Sequence, residues 1–220
     1  MEYKYLILDF GKVLAAPTTG EWLVTPEFLK NVDINKVDKD KLKEAFKKNK
    51  YMLDGKVETV DEEYELLYKF YQMVLNDACY EIADEGIGNI AKDFIYGDSK
   101  YTLYNDVVEE LDRLSRKYTL LVLSDNWPCL YNYMKKKDIY KFFKKVYVSS
   151  VYGELKKEGK FFNHPIEEFN IKSGEALFID DSEMLLDVAV QKGLDVKLMD
   201  RAKIVNNSKY DIINKLADIK

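Results

Sequence analysis

The chain has 220 residues, 47% hydrophobic and 33% charged, which excludes a disordered polypeptide and allows a sizeable core, as one domain or as a core with an insertion. Its 34 Lys and Arg against 39 Asp and Glu leave a net charge of −5 with the two signs interspersed, which argues against a nucleic acid gripped through its phosphates. No apolar stretch approaches the roughly 20 residues of a membrane helix, so no membrane partner is expected, and the sequence assigns no oligomeric state.

The first element is Tyr3-Lys4-Tyr5-Leu6-Ile7-Leu8-Asp9-Phe10-Gly11-Lys12-Val13-Leu14. A short apolar run ends on one carboxylate and a glycine follows two residues later, the pattern of a buried strand that delivers an acid to the rim of a sheet and then turns. In a central parallel strand Asp9 lies at the carboxyl end, where open α/β sheets bind ligands, and it is the candidate nucleophile. Ala15 to Gly20 reads as a loop. From about Thr25 to Ile95 helix follows helix and no strand is evident. Lys39 to Asn49 is short and very basic, and Asp61 caps a helix from Glu62 to Leu75 in which Tyr64, Leu67, Tyr68 and Tyr71 recur at helical spacing. Ile82 to Phe94 reads as a further helix, broken at Gly86 and Gly88. The aromatics of this region read as helix packing.

From Asn105 the rhythm becomes that of a parallel sheet. Asp106 to Lys117 is an amphipathic helix with Val107, Val108, Leu111 and Leu114 on one side. Tyr118 to Leu123 is a strand ending at Ser124-Asp125-Asn126, and a helix around Leu130 to Lys136 follows. Lys145 to Ser150 is a strand, Phe161 to Phe169 a helix, Ala176 to Ile179 a strand ending at Asp180-Asp181, and Ser182 to Lys192 a helix. Val196 to Met199 is a last strand, and Tyr210 to Ala217 a closing helix. Such alternation implies βαβ units and a sheet covered on both faces. The fold expected is α/β: a doubly wound, Rossmann-like parallel sheet formed by 1–14 and 101–220, with a helical insertion at 15–100.

Cys79 and Cys129 make neither a disulfide framework nor a CxxC knuckle, and the chain runs almost directly into Leu6-Ile7-Leu8 without a cleavage-site pattern, so a cytoplasmic location is expected. His164 is the single histidine, which leaves catalysis to carboxylates, hydroxyls and lysines.

Three strands end in polar clusters, and Glu154-Leu155-Lys156-Lys157-Glu158 lies between the last two. Asp9, Ser124, Lys156 and Asp180-Asp181 can therefore converge on one rim. Crowded carboxylates call for a cation, and hard oxygen ligands suit Mg²⁺. Ser124 with nearby backbone N–H groups can hold phosphoryl oxygens, and Lys156 can stabilise developing negative charge. Read singly, each residue also has a structural explanation: Asp9 as a turn residue, Ser124 as a helix cap, Lys156 as a solvated lysine, and Asp180-Asp181 as a cap and dipole partner.

Taken together, Leu8-Asp9-Phe10-Gly11-Lys12-Val13-Leu14, Val122-Leu123-Ser124-Asp125-Asn126, Gly153-Glu154-Leu155-Lys156-Lys157 and Phe178-Ile179-Asp180-Asp181-Ser182 resemble the four motifs of the haloacid-dehalogenase (HAD) superfamily of hydrolases. The likeness is to its phosphatase branch with a small helical cap, as in glucose-1-phosphatase-like enzymes and the phosphatase domain of soluble epoxide hydrolases. The resemblance implies Asp9 as nucleophile, Ser124 with Asp125 and Asn126 at the substrate phosphate, and Lys156 as the charge-stabilising lysine. It implies Mg²⁺ held by Asp9, Asp181 and the Gly11 carbonyl, with Asp180 holding a metal-bound water, and a small phosphorylated metabolite such as a sugar phosphate as substrate.

Two departures stand out. Gly11 replaces the Asp that usually serves as general acid and base two residues after the nucleophile, a contribution typically worth about 10²–10⁴-fold. Lys12 stands where a small residue or Asn is commoner, reaching either the phosphate or, as the reading slightly favours, solvent; Lys157 stands where Pro usually follows the motif lysine. The leading expectation is a Mg²⁺-dependent phosphatase. The alternatives are a metal-free carbon–halogen hydrolase, against which Asp180-Asp181 argues, and a weak or non-catalytic relative that binds a phosphorylated ligand or a partner, which Gly11 supports.

Overall fold

The computed structural model describes residues 3–220; Met1 and Glu2, counted in the expected core, lie outside the described residues. In chain order the regular elements are β1 (Tyr5–Leu8), β2 (Ala15–Pro17), α1 (Pro26–Asn31), α2 (Lys39–Asn49), α3 (Val60–Asp77), α4 (Asp84–Tyr96), β3 (Tyr101–Leu103), α5 (Val107–Ser115), β4 (Thr119–Ser124), α6 (Cys129–Lys136), β5 (Lys145–Val148), α7 (Ser149–Tyr152), α8 (Asn163–Glu168), β6 (Ala176–Asp180), α9 (Glu183–Gln191), β7 (Asp195–Met199) and β8 (Ile212–Ile213).

Among the described residues β5-β4-β1-β6-β7-β8 form one sheet, every neighbouring pair parallel. β1 is central because it is apolar on both faces and buried throughout, as a strand covered by helices on each side must be. Alternate residues go to opposite cores. Leu6, Leu8, Val122 and Ile179 pack with Val107, Leu111 and Leu114 of α5 and Leu130 and Met134 of α6. Tyr5, Ile7, Leu121 and Phe178 pack with Phe161, Phe162 and the Leu186 and Ala189 face of α9. Register levels the strand ends: Leu8 lies beside Val122 on one side and Ile179 on the other.

A third core, built from Phe28, Leu67, Phe70, Tyr71, Val74, Ile90 and Phe94, belongs to α1–α4, with Cys129 of α6 joining it to the sheet. The four helices come between β2 and β3, which pair antiparallel, Ala15 beside Leu103 and Pro17 beside Tyr101. This ribbon corrects the loop expected at Ala15–Gly20. Ala-Ala-Pro carries no strand propensity of its own, and only the distant β3 supplies a partner.

Further differences are local. Thr59, not Asp61, caps α3: its side chain accepts from Glu62 N while the Glu62 carboxylate accepts from Thr59 N. α4 runs unbroken through Gly86 and Gly88. Val108 is half exposed, off the buried stripe of α5. The expected closing helix at Tyr210–Ala217 is the edge strand β8 followed by a single tight turn at Leu216–Asp218. Ile213, Leu216 and Ile219 are the buried positions there, a spacing of three that suits a 3₁₀ turn as well as a helix.

Candidate active site

Asp9 follows β1, and its N–H donates to Ile179 O at 3.0 Å, which brings it level with Asp180 at the end of β6. Ser124 closes β4 on the other side. Gly153, at φ +69°, turns the chain after α7 and leads it back so that Lys156 lies beneath these strand ends. The Lys156 ammonium, almost wholly buried, lies 2.6 Å from Asp180 Oδ2 and 2.9 Å from Asp9 Oδ1. Its contact with Asp9 is one of charge, since no donor is aligned for a hydrogen bond on that oxygen. Asp180 is fully committed: its second oxygen accepts from Ser182 N at 2.9 Å. Asp181 lies nearer solvent, 3.3 Å from the Lys12 ammonium. Lys12 adopts φ +51°, a left-handed backbone uncommon outside glycine; its side chain stays largely in solvent, the direction the sequence slightly favours, with the ammonium beside Asp181.

Oxygens of Asp9, Asp180 and Asp181 all lie within 4.8 Å of one another. Burial pushes the Asp9 carboxyl up, to about 7, with Lys156 opposing and Asp180 reinforcing the rise. Burial and then Asp180 likewise raise Asp181, against Lys12. Burial works to lower the Lys156 ammonium, but Asp180, Asp9 and Asp125 override it and hold the group protonated. The cluster is thus short of positive charge even with two lysines beside it. Its donor set of hard carboxylate oxygens fits a divalent ion of the Mg²⁺ kind.

The remaining predicted residues reach the same rim. Ser124 is buried and lines the cleft, and among the described residues its hydroxyl has no hydrogen-bond partner; it does not cap α6, which starts without a side-chain cap. Asp125 Oδ1 accepts from Lys156 N at 3.0 Å, and Asn126 Oδ1 accepts from Trp127 N while Asn126 N donates to Ser149 Oγ at 3.1 Å. The Asp125 side chain thus ties the lysine loop to the end of β4, whereas Asn126 reaches Ser149 through its backbone N–H and uses its side chain only on the next residue.

Three features escaped the sequence reading. At Gly11 a Cβ would lie 3.2 and 3.3 Å from the outer ring carbons of Trp22, so an indole occupies the space into which a side chain at position 11 would extend. The ring stacks edge-on against Tyr101, and the next residue is anchored by Tyr71 Oη donating to Leu23 O at 2.8 Å. A lone tryptophan in a loop carries no periodicity to announce this. The second feature is the size of the cleft, about 1370 Å³, with α2 on its far wall. Here a signal existed: Lys39, Lys43 and Lys47 recur every four residues. The third is a buried junction beside the cleft. The Glu63 carboxylate of α3 accepts from Cys129 N at 2.8 Å, and the Lys100 ammonium donates to Phe94 O and, at 2.8 Å, to Cys129 Sγ.

No protein-family model matches the chain, and no curated protein does. Solved structures share its architecture. A HAD-hydrolase from Bacillus subtilis bound to magnesium is 18% identical with a TM-score of 0.70, the match covering 99% of this chain and 97% of the other. A HAD family enzyme from Bacteroides thetaiotaomicron in complex with magnesium and inorganic phosphate is 19% identical with a TM-score of 0.57, covering 93% and 98%. The L-2-haloacid dehalogenase of Xanthobacter autotrophicus with chloropropionic acid covalently bound is 13% identical with a TM-score of 0.69, covering 98% and 96%. The fold is the one these proteins have in common.

Proposed function

We propose that this chain, with the fold of the HAD hydrolases, is a Mg²⁺-dependent phosphatase of small phosphorylated metabolites that works through a phosphorylated Asp9. The observation that carries the reading is the clustering of Asp9, Asp180 and Asp181 oxygens within 4.8 Å around a buried Lys156. The crowding of Asp181 against Asp9 and Asp180 argues against a metal-free carbon–halogen hydrolase. Two of the structural neighbours hold magnesium, one of them with phosphate, which favours the same chemistry.

In this reading Asp9, Asp181 and the Gly11 carbonyl hold the ion, with Asp180 beside it. When bound, Mg²⁺ supplies screening between the carboxylate and the phosphate and stabilises charge on the transferring group. Ser124 donates its unpaired hydroxyl to a phosphoryl oxygen. Asp9 attacks phosphorus; the new Asp9 oxygen–phosphorus bond forms as the ester phosphorus–oxygen bond breaks, and the leaving alkoxide takes its proton from water. A second water attacks phosphorus, releases inorganic phosphate and returns Asp9 to a carboxylate. Lys156 remains protonated throughout and fixes the orientation of Asp9. Asp125 acts by holding the lysine loop, and the Asn126 backbone holds the Ser149 turn. Residues 15–100 form a cap over the cleft, and 1–14 with 101–220 the core.

Incubation with Mg²⁺ and a panel of sugar phosphates, nucleotides and p-nitrophenyl phosphate should release phosphate, and the protein recovered during turnover should carry a phosphoryl group on Asp9. Phosphate release no faster than that of Asp9→Asn would overturn the proposal.

A further inference from the structure

The cleft is larger than a single phosphomonoester needs, since ligand pockets commonly span about 300–1,000 Å³ and this one about 1370 Å³. Lysines line both sides, Lys12, Lys156 and Lys157 beside the acids of the rim, and on the side of residues 15–100 they outnumber the acids Glu21 and Asp54. The floor carries the acids of the sheet rim. Facing them are Lys39, Lys43 and Lys47 of α2 and Lys50 just beyond it, all exposed and all lining the cleft. At about 100° per residue these four fall within an arc of roughly 80°, one stripe along the helix.

The stripe is uncompensated. Asp40 and Glu44 stand three residues before Lys43 and Lys47, yet none of the four lysines forms an ion pair with a carboxylate among the described residues. On the other side of α2, by contrast, Lys48 pairs with Asp77 at 2.9 Å. Like charges four apart on a helix cost stability. A face that is both repulsive and turned into a cleft is one arranged for an anion that arrives from outside. The same wall contributes Leu42 and Phe46 between the lysines, so the anion it meets belongs to a molecule with some apolar body.

We infer that the substrate is a phosphomonoester whose leaving group carries at least one further phosphate: Asp9 takes one phosphoryl group while the Lys39–Lys43–Lys47–Lys50 stripe holds the other. This rests on the phosphatase reading for the identity of the reacting end, and on the α2 stripe for the remainder of the molecule. It gives the insertion a reason for its charge and assigns substrate choice to α2.

The test separates the two claims. Binding of a sugar bisphosphate and of the matching monophosphate is measured by calorimetry on Asp9→Asn with Mg²⁺, so that no turnover is required. The bisphosphate should bind tighter, with an advantage that shrinks as salt rises. Replacing Lys43 and Lys47 together by Ala should cut that advantage roughly ten- to hundredfold, two charge-assisted contacts being lost. The control, Lys41→Ala with Lys48→Ala, removes the same charge from positions that do not line the cleft and should leave the ratio unchanged. In the active protein, the ratio of kcat/KM for bisphosphate over monophosphate should fall in step. Equal binding of the two ligands, or equal losses in the two double variants, would overturn the inference even if Asp9-dependent phosphatase activity is found. Stripe-dependent bisphosphate binding without any hydrolysis would uphold the stripe as the anchor of the second phosphate and overturn the phosphatase reading together with the part given to Asp9.

Discussion

Replacing Gly11 by Asp, alone and together with Trp22→Ala, tests whether the indole stands in the place of a catalytic acid. The first side-chain carbon at position 11 would lie 3.2–3.3 Å from two ring carbons, tighter than the 3.4–4 Å of ordinary contact, and a carboxyl group beyond it would need the volume of the ring itself. Gly11→Asp alone must therefore push Trp22 off its edge-on contact with Tyr101 or turn away from the cleft, and should gain nothing in rate. With Ala at 22 the volume is free. The same Cβ lies 3.7 Å from Asp9 Oδ2, and a second carboxylate so close to the first is pushed toward its protonated form, which a general acid requires. General acid–base help is worth about 10²–10⁴-fold, so the double variant should raise kcat on an alkyl phosphate by at least about 10²-fold. On p-nitrophenyl phosphate, whose phenolate leaves without a proton, it should change little. Steady-state assays of both substrates, with thermal unfolding to confirm that each variant is folded, decide the matter. An unchanged ratio of the two rates in the double variant, or a gain in Gly11→Asp alone, would refute the reasoning.

Three other outcomes follow from the same geometry. Lys156→Met leaves Asp9 and Asp180 as unpaired buried charges and should cost about 3–5 kcal/mol in denaturant unfolding without Mg²⁺, with part of the loss recovered on adding the ion. Lys12→Ala removes a cation 3.3 Å from Asp181, so a calorimetric titration should show Mg²⁺ binding several-fold tighter, roughly the effect of one nearby charge in a solvated site. Glu63, buried against Cys129 N, is raised above its ordinary 4.5 by burial, with Lys100 opposing. The fold then binds its proton more tightly than the unfolded chain does, so its contribution to stability is full below about 4.5 and declines as pH rises through the folded value. Wild type should lose stability relative to Glu63→Gln over that rise, measured as the difference between their unfolding free energies; parallel pH profiles would contradict the assignment.

The sheet, and the convergence of the candidate site residues at its rim, were legible in the sequence because both rest on local pattern. Apolar runs at Leu6-Ile7-Leu8, Leu120–Leu123 and Leu177-Phe178-Ile179 are long enough to name themselves as buried parallel strands, and a polar residue that ends such a run must emerge at the rim. Asp9, Ser124, Lys156, Asp180 and Asp181 could therefore be placed together before any distance was known. The helical insertion was equally plain, down to the Lys39–Asn49 bounds of α2. The pairing of Ala15–Pro17 with Tyr101–Leu103 could not be read, because each three-residue strand exists only through a partner over 80 positions away. β8 went unread for the same reason: Ile212-Ile213 is a strand only because β7 offers it an edge.

Gly11 marks the boundary most clearly. From the sequence it is a missing carboxylate. Only the tertiary structure places Trp22 over it, by way of the ribbon that returns the chain beside Tyr101. Only that structure turns the lysines of α2 toward the acids of the sheet. Strand ends follow from hydrophobic pattern along a few residues of chain; what stands opposite them depends on contacts between segments that no local pattern specifies.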